Sequence, residues 1–152
     1  MGKCSFGVPK VDYLGHVISA DGVATNLAKI KGIMEWPIPK NIKELRSFLG
    51  LTGYYRKFVK GYGIISKPLT NLLKKDGFMW TQEATVAFIQ LQEAMRQSPV
   101  LRLPDFSENF VVENDASGLG IGEVLTQGGH PIAYLSKALS MKHLALSTYE
   151  KE

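Results

Sequence analysis

Two places in this sequence hold carboxylates that could serve as oxygen ligands for a hard divalent cation. Asp115 follows an apolar, β-branched run that begins Phe110-Val111-Val112. Glu150 and Glu152 form an alternating pair in Tyr149-Glu150-Lys151-Glu152, with Glu152 standing 37 positions after Asp115. By residue type alone the ordinary readings win: an aspartate before Ala-Ser-Gly is a turn residue, and a Glu-Lys-Glu run is solvated. Gly118-x-Gly120-x-Gly122 is not a nucleotide fingerprint, because the spacing differs from Gly-x-Gly-x-x-Gly and a strand, not a helix, follows. Glycine within a strand marks either the close approach of another backbone or a purely structural turn.

Charge divides the chain. Residues 1–103 carry 15 Lys+Arg against 7 Asp+Glu, residues 104–152 carry 3 against 7, and residues 26–75 carry 11 against 2. A basic front and an acidic back suggest a polyanionic partner and a separate metal or acid–base site. Hydrophobic residues make up 45% of the sequence, enough for a packed core. The single cysteine, Cys4, excludes an internal disulfide, fits a reducing compartment and reads as a small core residue. No secretory leader is seen, and no apolar run approaches the roughly 20 residues that span a bilayer. The expected location is therefore intracellular, in a cytoplasmic particle or the nucleus, and not secreted.

The elements that must position these residues follow from local signals. Residues 110–115, 120–126 and 131–135 read as three strands joined by tight turns, the second turn being Gly128-Gly129. Helical character follows Ser140. Upstream, residues 3–18 read as two short strands bent at Gly7-Val8-Pro9, with a turn at Asp21-Gly22. Asn26 caps a helix over 27–35 that ends at Trp36-Pro37. Asn41 caps a second, running to about residue 59, with Ile42, Leu45, Leu49, Thr52 and Tyr55 on its buried stripe and Phe48 and Phe58 flanking. Gly61-Tyr62-Gly63 ends it. Pro68 divides a third helical stretch into a turn and a helix from Lys67. Asp76-Gly77 is the best boundary, and Thr81 caps a fourth helix to about residue 97 that buries Ala84, Phe88, Leu91 and Met95.

The ordered set Asn114-Asp115-Ala116-Ser117-Gly118-x-Gly120-Ile121-Gly122-x-Val124-Leu125, then Pro131-Ile132-Ala133-Tyr134-x-Ser136-Lys137, then Tyr149-Glu150-Lys151-Glu152 resembles the ribonuclease H of gypsy-type LTR retrotransposon Pol polyproteins. Trp36-Pro37-x-Pro39 and Leu45-Arg46-Ser47-Phe48-Leu49-Gly50-Leu51-Thr52-Gly53-Tyr54-Tyr55-Arg56-Lys57-Phe58 resemble the thumb of the same family's reverse transcriptase. Leu14-Gly15-His16 resembles the palm-edge turn that cradles the primer's 3′ end. The resemblance covers essentially the whole chain. It implies an α+β chain in several parts: a short β-hairpin, a three-helix thumb-like bundle, and an incomplete ribonuclease H-like α/β domain with a three-stranded antiparallel meander and the start of a helix. The expected divisions are 1–25 (end of the palm), 26–75 (thumb-like bundle), 76–108 (connecting helix and linker) and 109–152 (first part of the ribonuclease H-like domain).

The same resemblance implies the site residues. Asp115 and Glu152 become catalytic metal ligands for Mg²⁺, with Mn²⁺ possible, in a two-metal phosphodiester hydrolysis. Leu14, Gly15, His16, Arg46, Gly50, Gly53, Tyr54 and Lys57 become nucleic-acid contacts. Arg46, Gly50 and Tyr54 fall at i, i+4 and i+8 on one helix face; glycine there serves either close approach to a duplex or tight helix packing. The partners implied are an RNA/DNA hybrid or duplex and the remainder of the polyprotein, with no membrane. The family's remaining ribonuclease carboxylates are expected beyond residue 152 and its polymerase carboxylates before residue 1, so both active sites are incomplete over these positions and enzyme status stays open. Two departures stand out: Glu123 replaces a small apolar residue and is either buried or at a solvent-facing strand edge, and Asn114 replaces threonine. The other readings are a non-catalytic nucleic-acid-binding module, a degenerate remnant of such an element, and a purely structural piece.

Overall fold

The computed structural model describes residues 7–74, 78–117 and 120–139. Cys4, Asp76, Gly77, Gly118, the Glu150–Glu152 pair and the helix expected after Ser140 lie outside the described residues.

The chain has the expected α+β character, built on two three-stranded antiparallel sheets. The first contains β1 (Lys10–Tyr13), β2 (His16–Ser19) and β3 (Gly22–Thr25) in that order. The stretch expected as the hairpin's second strand is divided by a further turn at Leu14-Gly15 into β1 and β2, and β3 adds a strand; Gly7 is a bend at φ 64°, and residues 3–6 before it lie outside the described residues. Leu14 at φ 49° and Gly15 at φ 80° occupy the two central positions, and positive φ at both is what a two-residue type I′ turn requires. Leucine gives no turn signal by its own chemistry, so Val11 to Ser19 reads as one strand by pattern, and only the resemblance of Leu14-Gly15-His16 to a palm-edge turn marks the break.

The helices are α1 (Leu27–Met34), α2 (Ile42–Tyr54), α3 (Tyr62–Ile65), α4 (Lys67–Asn71) and α5 (Gln82–Arg96). Each expected cap is present. The Asn26 side chain accepts from the Ala28 amide at 2.9 Å, and Thr81 Oγ1 accepts from the Ala84 amide at 3.2 Å. Asn41 Oδ1 accepts from the Glu44 amide at 2.9 Å while Glu44 Oε2 accepts from the Lys40 amide at 2.8 Å, a reciprocal arrangement that satisfies two amides at the start of α2. α2 ends earlier than its pattern suggests. After Tyr55 the chain tightens into a 3₁₀ turn over Arg56–Phe58, and Tyr55, Phe58 and Val59 all turn inward.

One core joins these helices. Ile33, Leu45, Phe48, Leu69, Leu91 and Met95 are fully buried, and Phe48 packs against Phe88 of α5 with ring centroids 4.5 Å apart and planes tilted by 38°. The buried Gln92 of α5 donates to the Ile33 carbonyl at 2.8 Å and the Met34 carbonyl at 3.2 Å. It thereby adds a side-chain donor to carbonyls at the C-terminal end of α1, where the Trp36 amide also donates to the Ile33 carbonyl at 3.2 Å. Among the described residues no helix is long and apolar enough to cross a membrane.

The second sheet runs β4 (Val111–Ser117), β5 (Gly120–Gln127) and β6 (His130–Ala138), with Gly128 and Gly129 at φ 56° and 76° in the expected turn. Its register sets Asp115 opposite Gly122 and Asn114 opposite Glu123. Close backbone approach seats this sheet on the bundle. The Gly63 amide donates to Ser136 Oγ at 2.7 Å, and Lys67 Nζ donates to the Leu139 carbonyl at 2.9 Å. A Cβ at Gly63 would stand 2.7 Å from the Ser136 carbonyl oxygen, and one at Gly120 would stand 2.6 Å from Ile64 Cγ1. Leu101 adds a bridge to Val23, and the Arg102 amide donates to the Pro131 carbonyl at 2.9 Å, tying both sheets to the segment between them.

Candidate nucleic-acid interface and candidate metal ligand

The β1–β2 turn lies against the C-terminal end of α2. Tyr54 Oη donates to the Leu14 carbonyl at 2.9 Å, and Tyr55 Oη donates to the Gly15 carbonyl at 3.1 Å. Leu14 nonetheless points outward: it is 69% exposed, an apolar side chain on a left-handed backbone at the tip of a turn. Such conformations in non-glycine residues are uncommon and persist where the surroundings hold them. Here the tyrosine hydrogen bonds do so. Gly15 has a separate steric reason, since a Cβ there would stand 2.5 Å from Tyr55 Oη.

Arg46, Gly50, Tyr54 and Lys57 are all exposed, so the solvent face of α2 carries the expected stripe. Lys43 adds a further exposed cation one turn earlier. A Cβ at Gly50 would meet no atom within 4 Å, and one at Gly53 would meet only Tyr62 Oη at 3.4 Å. Tight packing therefore gives no reason for glycine at 50, where an exposed mid-helix glycine costs about 1 kcal/mol relative to alanine. Leu14, Gly15, His16, Tyr54 and Lys57 come together in space, with Gly50 and Arg46 continuing along the helix from Tyr54. His16 is placed differently from the others. Its ring lies among Tyr54, Tyr55 and Phe58, and burial followed by the Lys57 charge holds its pKa below the ordinary 6.5.

Asp115 is exposed on β4 and lines a groove of about 130 Å³ together with Lys60, Glu113, Gly122, Glu123 and Tyr134. Glu123 is half-buried in this groove, which places it at a solvent-facing position and not in an apolar interior. The two described strand glycines differ. Gly120 is required by the packing of Ile64 and Lys137, whereas a Cβ at Gly122 would meet only the Asp115 carbonyl oxygen, at 3.7 Å. Asp115 fits a hard cation in donor type and access. Among the described residues no group of three or more His, Cys, Asp or Glu side chains is placed to hold an ion, so further ligands would have to come from elsewhere. Glu152, the second expected ligand, lies outside the described residues. Sequence reasoning missed Lys60. Its signal was the basic character of 26–75, which does not say which lysine meets the acidic groove.

Comparison with known proteins agrees with this architecture. Residues 80–152 match the RNase H-like domain found in reverse transcriptase. The retrovirus-related Pol polyprotein from transposon 297 of Drosophila melanogaster is 46% identical over 99% of the chain, which spans 14% of that protein. An uncharacterized mitochondrial protein of Arabidopsis thaliana is 54% identical over 72% of the chain and 70% of its own length. Among solved structures, the foamy viral protease–reverse transcriptase in complex with an RNA/DNA hybrid superposes with a TM-score of 0.86 at 28% identity, covering 94% of the chain and 20% of that protein. The chain is homologous to the transposon Pol polyproteins and belongs to one family with the Arabidopsis protein, and from Trp80 onward it matches the RNase H-like domain found in reverse transcriptase.

Proposed function

We propose that this chain is the part of a gypsy-type Pol polyprotein that grips an RNA/DNA hybrid and contributes to a two-metal ribonuclease H site. In this reading 1–25 is the end of the palm, 26–75 the thumb, 76–108 the connection and 109–152 the first part of the ribonuclease H domain, and the protein works inside the cell. The observation that carries it is the exposed stripe Arg46-Gly50-Tyr54, in which Gly50 has no packing partner, beside the outward Leu14. A bare helix backbone between a guanidinium and a phenol suits the shallow groove of a duplex whose sugars must come close. Leu14 and Gly15 then meet one strand, Arg46 and Lys57 meet phosphates, and Gly53 widens the stripe. That a solved relative was captured with an RNA/DNA hybrid supports the choice of ligand.

RNase H-like domains generally use divalent metals; when bound, Mg²⁺ or Mn²⁺ activates water and stabilises the leaving oxygen. In this reading Asp115, with Glu152, holds the ions, and Gly122 leaves the space beside Asp115 open. The test begins with Gly50→Leu, which should weaken hybrid binding by roughly tenfold or more at fixed salt, about 1.4 kcal/mol, while helical circular dichroism is unchanged. Equal affinity in variant and parent would remove the basis for the thumb reading. The metal assignment is tested in a longer polyprotein: Asp115→Asn should abolish cleavage of the RNA strand and weaken Mn²⁺ binding, and full activity would place the site elsewhere.

A further inference from the structure

His16 opens β2 immediately after the Leu14-Gly15 turn, and its ring sits in a socket at the end of α2. The centroids of Tyr54, Tyr55 and Phe58 lie 5.3, 5.5 and 5.5 Å away. Its Nε2 is buried without a hydrogen-bond partner among the described residues. The same two tyrosines donate to the carbonyls of Leu14 and Gly15, so consecutive residues of α2 hold both the turn and the ring that follows it. We propose that His16 is a positioning residue and not a nucleic-acid contact: its neutral ring seats the turn on α2, and protonation unseats it.

The chemistry of the socket supports this. An imidazolium donates from both nitrogens, and the donor at Nε2 would be buried and unpaired. The groups facing the ring offer it no negative charge. Lys57, whose ammonium stands 5.2 Å over the Phe58 ring, adds like charge; the backbone of Leu14 and Tyr13 favours the cation, by less than burial and Lys57 disfavour it; the phenols of Tyr54 and Tyr55 line the socket, and Tyr13 and Thr25 are the cross-strand neighbours. On β1, the Asp12 carboxylate accepts from Asn26 Nδ2 at 2.9 Å, and Lys29 of α1 lies beside Gly15. The sign of the effect follows. The docked ring titrates below the ordinary 6.5, so docking is fully present above about pH 6.5 and is lost as pH falls through the docked value. One proton sets the slope: at most about tenfold in the docking equilibrium per pH unit.

The consequence for hybrid binding rests on the function proposed above, so the turn and the binding are read separately. Imidazole and aromatic NMR spectra of residues 1–152 are recorded from pH 8 to pH 5. The expected result is a His16 midpoint below 6.5, with contacts between Leu14 and Tyr54 fading in step with it. A midpoint at or above 6.5, or contacts that persist once the ring is protonated, would overturn the proposal. Hybrid affinity is then followed at fixed salt in a His130→Gln/His143→Gln background. It should fall with the same midpoint, and His16→Phe, which keeps an aromatic ring but cannot take a proton, should lose that dependence. A dependence that survives in His16→Phe would overturn the assignment of the pH response to His16. Absence of hybrid binding at every pH sinks the proposed function, while the spectra still decide the role of His16.

Discussion

The face formed by the β1–β2 turn and α2 differs from the face that carries Asp115 in how its residues are held. On the first, backbone positions are fixed by side chains some 40 residues away, through Tyr54 and Tyr55, and the helix behind them rests on a core with several fully buried side chains. On the second, Val111, Val112 and Leu135 are 51%, 58% and 57% exposed, and Asp115 is located chiefly by strand register opposite Gly122. Register fixes which face a residue occupies, because side chains alternate with a period of two. It does not fix a side chain's rotamer; packing does. The difference teaches that a helix resting on a packed core holds a stripe of residues at fixed spacing, whereas a strand residue set by register alone is assigned to a face but not held at a point.

The largest test of that contrast is a pair of truncations. Phe48→Ala removes a fully buried ring packed on Phe88 and should cost about 3–5 kcal/mol in urea unfolding. Leu135→Ala, on a more than half-exposed side chain, should cost less than about 1 kcal/mol, since little apolar area leaves contact. Equal losses would show that the sheet is supported as firmly as the bundle. Gly63→Ala comes next. Its added methyl meets the Ser136 backbone at 2.7 Å, so the α3–β6 seat must shift, at roughly 1–3 kcal/mol in a thermal melt. A melt that splits in two would show this seat to be what couples the regions. The smallest effect has the opposite sign: Gly50→Ala, with open space around it, should raise stability by up to about 1 kcal/mol. A loss of stability there would mean that Gly50 has a structural duty after all.

The capped helix starts were readable from sequence because an Asn or Thr side chain bonding an amide two or three residues on is local chemistry. So were the Gly128-Gly129 turn and the inward stripe of α2. The Leu14-Gly15 turn was legible only through the resemblance of Leu14-Gly15-His16 to a palm-edge turn and not from turn chemistry, since a leucine at positive φ is held there by Tyr54, forty positions later in the chain. The enclosure of His16 escaped for the same reason: the Leu-Gly-His pattern gives no sign of the rings that close around it. An apolar face on α5 shows that the helix packs, but not that Gln92 would reach α1. The position of Asp115 was evident as a strand residue followed by a glycine turn, while the open space at Gly122 depends on the pairing of β4 with β5.

The Gln92 amide also gives the chain an order in time. The carbonyls of Ile33 and Met34 gain their side-chain donor only from a residue 58 or 59 positions later. At a synthesis rate of about 5–20 residues per second, roughly 3–12 s separate the two ends of that contact. During this interval α1 has its Asn26 cap and its local closing bonds from Glu35 and Trp36, but lacks the Gln92 donor and has no α5 to cover Ile33. The nascent bundle therefore waits for α5, and a pause or premature stop between α1 and α5 would release a species with exposed apolar surface, the kind that chaperones and proteases take up.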